Sequence, residues 1–454
     1  MPDFNNIKKT YFLGIGGIGM SALARHFNSE GVQVYGYDKT ETELTKQLEK
    51  EGMKITYEDT VATIPQGIDL VVYTPAIPKE HLQFNYFLQN NFTVKKRSEI
   101  LQEITHDKFT IAIAGSHGKT SVTTMIAHVL KHSGYDCTAF LGGISLNYQS
   151  NYLRGKNNVV VVEADEFDRS FLRLNPDMEI VTAVDTDHLD IYGSWEKIEE
   201  AFIEFTQKIK PKGIFIGQSK ISILPKVKAE KIFTYNFSDA SANYFVTNAA
   251  LNEGAYFFDI AGDDGIAGMT LQMGGRHNVE NALAAYTVAR QLGIEREKIK
   301  EAFAAFKGVK RRFEFMLSRN DFVFIDDYAH HPEEINALIG AVRSMYPAKK
   351  ITAIFQPHLF SRTKDLHKEF AASLDKADEV IVLDIYPARE KPMPGVTSAM
   401  ITQEMKNPNK RVMSKGELLS FLENKKPEAL LTIGAGDIDT LVQPIKKIFE
   451  RNGK

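Results

Sequence analysis

Residues 10–24 read TYFLGIGGIGMSALA: an apolar run, a glycine-rich turn, then the start of a helical pattern. Gly14, Gly16 and Gly19 make G-x-G-x-x-G after a strand, the signature of a turn that brings backbone close to a diphosphate. The helix beyond such a turn offers its positive end to an anion. NAD and a uridine diphosphate group both suit the turn. Asp38 lies about twenty residues on, where a dinucleotide site holds a ribose. Residues 9–14 read as a strand, VQVYGYD as a second ending at Asp38, and IDLVVYT as a further one. A polar helix spans 42–51. This is a βαβ series with ligand loops at the carboxyl ends of parallel strands.

Outward from that stretch the alternation continues, which argues an α/β protein with parallel sheets. At ITHDKF, residues 104–109, a second unit begins. FTIAIAG is its first strand, and Val122, Met125, Ile126, Val129 and Leu130 mark one buried face of the next helix. NVVVVEAD and MEIVTAVDTDH are unbroken apolar strands ending in carboxylates and a histidine, as central parallel strands covered on both faces require. Residues 213–275 read as shorter strands, and HNVENALAAYTVARQLG as a helix closed by Gly293. A third unit begins at 314–321, where DFVFIDDYAHHP, ITAIFQPH, EVIVLDIYP and ALLTIGAGD repeat strand-then-loop. Three domains also suit 454 residues at roughly 150 residues each.

A net charge of −3 excludes a global basic field for nucleic acid or an anionic membrane. With one cysteine, Cys137, neither an intramolecular disulfide nor a cysteine-based zinc site exists within the chain. No run approaches the ~20 apolar residues of a membrane span, and the first residues carry no secretory pattern. The expected location is the cytoplasm, with no nucleic-acid or membrane partner; oligomeric state has no signal in the sequence.

Chemistry concentrates in a few places. AGSHGKTS, residues 114–121, follows a strand and opens a helix. Gly115, Ser116, His117, Gly118, Lys119, Thr120 and Ser121 are its candidate phosphate contacts, with Lys119 reaching terminal phosphates and Thr120 suited to Mg²⁺. The strict P-loop would have glycine at 113; this chain has Ile113, so the loop is a shortened variant. Glu163, Asp165, Asp185, Asp187 and His188 end the two neighbouring strands, a placement that suits a metal–nucleotide complex. Arg311 and Arg312 suit a terminal phosphate, although paired arginines are more often surface residues. DDYAHHPEE admits either a transition-metal site or a loop that contacts a ribose and a polar substrate.

Taken together, GIGGIGMSALA, TPAI, AGSHGKTS, EADEFDRSFL, DTDHLDIYG, GRHNVENALAA, RRFE, DDYAHHP, FQPHLFSRTKD and IGAGD run in order over nearly the whole chain. In that order and spacing the chain resembles the Mur ligases of peptidoglycan synthesis, and within them the alanine-adding branch. The resemblance implies three domains: a Rossmann-like N-terminal domain for a UDP-sugar (residues 1–106), a central P-loop ATPase α/β domain (107–314), and a Rossmann-like C-terminal domain (315–454). It implies ATP-driven joining of L-alanine to the lactyl carboxylate of UDP-N-acetylmuramate through an acyl phosphate. Domain closure would align the reactants and exclude water.

Residue by residue, the resemblance puts Lys119, His188 and Arg312 in catalysis. Thr120, Glu163 and His188 would hold Mg²⁺. Asn278 and Asn281 would contact adenine, Arg312 a phosphate and Asp327 the ribose of ATP. Gly14, Gly16, Gly17, Ile18, Gly19, Asp38, Thr74 and Ala76 would hold the UDP-sugar, and Tyr328, His330, His358 and Arg362 the amino acid and sugar carboxylates. Two departures stand out. EEAFIEFTQ has no lysine before Lys208, where sister ligases carry a carbamylated one. Leu359 stands where some relatives have arginine, which leaves more carboxylate charge to Arg362. The close alternative is the recycling ligase that attaches a tripeptide to the same sugar nucleotide. An NAD-dependent oxidoreductase or a non-enzymatic nucleotide switch leaves GSHGKT and the carboxylate cluster, or the third ligand-loop unit, without a role.

Overall fold

The computed structural model describes residues 6–185, 192–252, 254–388 and 390–451, which form an α/β protein with three sheets. The first sheet holds β1 (Lys9–Leu13), β2 (Gln33–Tyr37), β3 (Lys54–Thr56), β4 (Leu70–Tyr73) and β5 (Val94–Lys96) in the order β3-β2-β1-β4-β5. Every pairing is parallel. The run TYFL is the central strand and is buried throughout, as its unbroken apolar composition requires. β1 hands the chain to β2 on one side and is flanked by β4 on the other. The crevice at its carboxyl end is therefore the switch point where such sheets bind ligands. GIGGIG leaves β1 at that point, and the helix Ile18–Ser29 follows.

In the second sheet lie β6 (Phe109–Ala114), β7 (Thr138–Ser145), β8 (Ser150–Leu153), β9 (Val159–Glu163), β10 (Met178–Val181), β11 (Ile214–Gln218), β12 (Lys231–Asn236), β13 (Tyr244–Asn252), β14 (Ala255–Gly262) and β15 (Ile266–Leu271). Their order is β15-β14-β13-β12-β11-β10-β6-β9-β7-β8. From β13 through β7 all neighbours are parallel, and β8 closes one edge antiparallel. The four valines of β9 are buried between β6 and β7. β6 stands between β9 and β10, so its exit loop is flanked by the ends of both. Phe171, Phe202 and Phe205 pack together on this core, Phe171 and Phe205 with ring centroids 4.7 Å apart.

The third sheet comprises β16 (Glu314–Ser318), β17 (Val323–Asp327), β18 (Ile351–Phe355), β19 (Glu379–Leu383), β20 (Lys410–Met413) and β21 (Ala429–Ile433), ordered β16-β17-β21-β18-β19-β20. Only β16 is antiparallel to its neighbour.

The chain divides into two compact units. One comprises Met1–Asn248, Phe258–Met269 and Glu280–Phe306; the other comprises Ala249–Phe257, Thr270–Val279 and Lys307–Lys454. Residues on either side of 106 thus share a unit although they build different sheets. Side chains of Ile18–Ser29 tie the two sheets together. Arg25 hydrogen-bonds to Asn151 and pairs with Glu51 at 2.8 Å, and His26 Nδ1 lies 3.1 Å from the Tyr152 hydroxyl.

His128, on the helix Lys119–His132, is 2% exposed, and its Nε2 lies 2.8 Å from the Ala302 carbonyl. A carbonyl only accepts, so Nε2 carries the proton. Burial pushes this imidazole down to about 4 from an ordinary 6.5. The folded value lies below the unfolded one, so this group's contribution to stability is full above pH ~6.5 and is lost as pH falls toward 4. The stability gap between the wild type and His128→Gln, measured by urea denaturation, should narrow from pH 7 to pH 4. A constant gap would show that His128 does not titrate in this way.

Candidate active site

The first anion loop is shaped by close approaches. Gly14 has φ +84°, and a Cβ there would meet Thr74 at 2.9 Å. The amides of Gly14 and Ile15 both donate to the Tyr37 carbonyl, at 2.8 and 3.0 Å. Gly16 N–H donates to Asp38 Oδ2 at 2.7 Å. Asp38 therefore shapes the loop directly, and Thr74 packs on it, while Ala76 is exposed beyond β4. Gly17 caps the helix without a side-chain bond, and the first turn of that helix, with Ile18 and Gly19, carries no acidic residue. Amides at such an uncapped helix end suit an anion. A Cβ at Gly19 would lie 2.8 Å from Nη1 of Arg97, a residue the sequence reading did not single out.

The second loop leaves β6. Gly115 has φ +134°, and a Cβ there would overlap the Thr182 hydroxyl. Ser116 N–H donates to the Ala183 carbonyl at 3.0 Å, and Ser116 Oγ accepts from Asp185 N–H at 2.8 Å. Thr182 donates to the His117 carbonyl, so the loop is pinned to the end of β10. Gly118 is left-handed, φ +80°, and a Cβ there would lie 2.7 Å from Asn281 Oδ1. The fold thus brings Asn281 against this loop. Asn278, a turn earlier on the helix Arg276–Gln291, spends its amide on the Gly274 carbonyl at 2.7 Å.

Lys119 opens the helix after the loop, with Thr120 and Ser121 buried behind it. Its ammonium donates to the Gly115 carbonyl at 2.5 Å and to Glu166 Oε1 at 2.7 Å. Burial alone pushes this ammonium down, but Glu166, Asp165 and Glu163 outweigh it and hold the group above its ordinary value. It stays cationic. Thr120 Oγ1 donates to Glu163 Oε1 at 3.2 Å. A hydroxyl and a carboxylate this close form a hard oxygen donor set that suits Mg²⁺, with water and phosphate completing the shell. Gly142 on β7 faces them, and a Cβ there would overlap the Glu163 carboxylate. His117 Nε2 lies 3.5 Å from Asp185. Asp187 and His188 lie outside the described residues.

The second unit carries the remaining candidates. Its two arginines differ. Arg311 pairs with buried Asp326 at 3.1 Å and donates to the Gly434 carbonyl at 2.6 Å, a structural role. The guanidinium of Arg312 lies 5.1 Å from the Tyr328 ring centroid. Asp327 accepts from the amides of Phe313 (2.6 Å) and Ala329 (2.8 Å), and burial pushes it up to about 6. No group of three or more His, Cys, Asp or Glu suited to a metal occurs among the described residues, so DDYAHHP gains no support as a transition-metal site.

His330 donates from Nδ1 to the Tyr328 carbonyl at 3.1 Å, which leaves Nε2 as an acceptor; burial lowers this imidazole and favours its neutral form. His330 and His358 stand 6.2 Å apart, and His358 stacks on Tyr386 at 5.8 Å. Leu359, at φ +72°, is a strained backbone position held by its amide's bond to the Tyr386 carbonyl at 3.0 Å. Three residues on, Nη1 of Arg362 is shielded and has no acceptor among the described residues. Three contributors went unread in sequence: Glu166, Tyr386 and Arg97. The repeated glutamate of EADE and the arginine directly after the strand VKK were the available signals.

Residues 9–109 match the Mur ligase family catalytic domain, 113–289 the Mur ligase middle domain, and 311–436 the Mur ligase glutamate ligase domain. UDP-N-acetylmuramate–L-alanine ligase of Porphyromonas gingivalis is 47% identical over 453 residues, covering 98% of this chain and 99% of that protein. The enzyme of the same name from Flavobacterium johnsoniae is 45% identical, covering 99% and 100%. Among solved structures, UDP-N-acetylmuramate–alanine ligase of Thermotoga maritima superposes with a TM-score of 0.83 at 29% identity, covering 98% and 99%. A murein peptide ligase from Psychrobacter arcticus shares the fold, with a TM-score of 0.73 at 24% identity, covering 97% and 98%.

The crowding at Gly142 yields a test. Gly142→Ala should drive Glu163 off Thr120 and weaken magnesium-dependent binding of a non-hydrolysable ATP analogue about tenfold, equivalent to ~1.4 kcal/mol. Calorimetry with and without Mg²⁺ reads this; unchanged affinity would separate Glu163 from the metal.

Proposed function

The chain belongs to the Mur ligase family, and from that premise we propose that it joins L-alanine to UDP-N-acetylmuramate at the expense of ATP. One observation carries the reading. A single compact unit holds two anion loops of different build, one with a free helix N-terminus and one with a lysine and a hydroxyl–carboxylate pair. A hydride-transfer enzyme needs the first loop and has no use for the second. A ligase needs both, because one phosphate-bearing substrate brings a carboxylate and the other activates it.

The chemistry follows from the poor electrophilicity of a carboxylate. A lactyl carboxylate oxygen attacks the γ-phosphorus and the bond to ADP breaks. The alanine amine then attacks the acyl carbon, loses a proton, and phosphate leaves. Lys119, cationic and fixed by two partners, supplies charge where the transferring phosphoryl group becomes more negative. Thr120 and Glu163 would hold Mg²⁺, which when bound neutralises phosphate oxygens. Asn278, Asn281 and Asp327 would contact the nucleoside of ATP, and Arg312 a phosphate.

In the second unit, Arg362 offers a shielded donor to a carboxylate. His330, neutral with Nε2 as acceptor, takes a hydrogen bond from the incoming amine and is placed to receive its proton. Tyr328 and His358 flank it. His188 retains its proposed place in catalysis and at the metal on the resemblance alone. We place the reaction in the cytoplasm, where ATP is available. L-Alanine, glycine and L-serine differ by one small group, worth about 1–3 kcal/mol in an apolar pocket.

Phosphate release from Mg–ATP should require UDP-N-acetylmuramate and proceed with L-alanine, with little turnover on L-Ala-γ-D-Glu-diaminopimelate. Preference for the tripeptide would move the assignment to the recycling ligase. In addition, Lys119→Ala should lower kcat by about 10²-fold or more while UDP-sugar binding stays near the wild-type value. Loss of sugar binding in that variant would overturn the division of labour between the loops.

A further inference from the structure

Arg97 is the first residue of the helix Arg97–Thr105 and directly follows β5, an edge strand of the first sheet. All strands of that sheet are parallel, so Arg97 emerges on the same rim as the GIGGIG loop. Its guanidinium lies against Gly19, where a Cβ would meet Nη1 at 2.8 Å and Cδ at 3.1 Å. The last glycine of the loop, the third of its G-x-G-x-x-G pattern, therefore makes room for a cation. In a dinucleotide fold this glycine usually serves close helix–strand packing.

The placement is electrostatically uphill in isolation. Arg97 sits against the first turn of Ile18–Ser29, a helix end with no acidic residue in that turn and no side-chain cap. Two positive features face one crevice. Nearby carboxylates are committed elsewhere. Glu99 accepts from the Lys96 amide at 2.7 Å, and Glu103 pairs with Lys95. Asp165 approaches Arg97 only at 3.5 Å, and both side chains are partly exposed. That loose contact is a resting partner, easily exchanged. A planar fork beside a row of unpaired amides matches the several oxygens of a diphosphate.

We propose that Arg97 grips the diphosphate of the sugar nucleotide at the first glycine loop, giving up Asp165 to do so. The inference rests on the proposed UDP-sugar reading of that loop. Because Asp165 lies on the segment that also carries Glu163 and Glu166, the exchange releases its Oδ2 beside the ATP-side network, while Oδ1 keeps the Phe167 amide.

The test uses the full chain with Arg97→Ala, Arg97→Met and Arg97→Lys, the methionine variant keeping most of the packing against Gly19. KM for UDP-N-acetylmuramate and the Kd of UDP alone should both rise about 10- to 100-fold in the alanine and methionine variants. Lysine should restore part of the loss, since it keeps the charge without the fork. KM for ATP should stay within about twofold, and the affinity for uridine, which has no phosphate, should not change. Unchanged UDP affinity in both neutral variants would overturn the proposal, as would a rise confined to KM for ATP. A melting-temperature loss with unchanged UDP affinity would reduce Arg97 to a strut toward Asp165. A wild-type chain that binds neither UDP nor the UDP-sugar would instead overturn the function reading, an outcome distinct from equal binding by wild type and variants.

Discussion

A buried positive charge organises the centre of this protein. Lys119 places its ammonium among the Gly115 and Ser116 carbonyls and the Glu166 carboxylate, within a site largely closed to water. A charge so placed is costly unless it is paired and hydrogen-bonded. The pairing fixes much else. The loop must curl so that its carbonyls turn inward, which requires left-handed or otherwise glycine-only backbone at Gly115 and Gly118. Glu166 must follow β9 closely, which brings Glu163 to Thr120. On the proposed reading, the same geometry that neutralises Lys119 at rest lets it exchange a carboxylate for a phosphate.

The two anion loops solve one problem by different means. GIGGIG relies on a free helix end and backbone amides, with Asp38 holding the turn through Gly16. GSHGKT adds a fixed cation and a metal-suited oxygen pair. The difference fits the demand proposed for each. A diphosphate that is only held needs complementary donors, whereas a phosphoryl group that moves needs charge aimed at the transition state.

Much of the fold was legible because its signals are local. TYFL before GIGGIG, VVVV before EAD, and the apolar runs before DDYAHH and QPH read as buried parallel strands, and each proved to be one. Strand order was not legible, since pairing depends on contacts far apart in sequence. The first two sheets share one compact unit and one hydrophobic core, and Arg25 meeting Asn151 and His26 meeting Tyr152 add polar ties between them. Neither pair has any sequence signal. At the site, Lys119, Thr120 and Glu163 were legible from motif chemistry. Arg97 and Tyr386 were not, because each earns its place only by meeting Gly19 or His358 across the fold. The paired arginines illustrate the limit well: identical and adjacent in RRFE, both lie over the Tyr328 ring, yet Arg311 is spent on Asp326 and the Gly434 carbonyl.

By itself the sequence determined the alternation of strand and helix, the positions of the two glycine loops, and the residue types available at each strand end. These follow from backbone sterics and hydrophobic periodicity, which act over a few residues. Only the tertiary structure decided which strand ends lie side by side, that Glu166 and not a more distant carboxylate neutralises Lys119, and that the last glycine of GIGGIG accommodates Arg97, which is far off in sequence. Those outcomes depend on through-space distance and burial, and a linear pattern does not encode either.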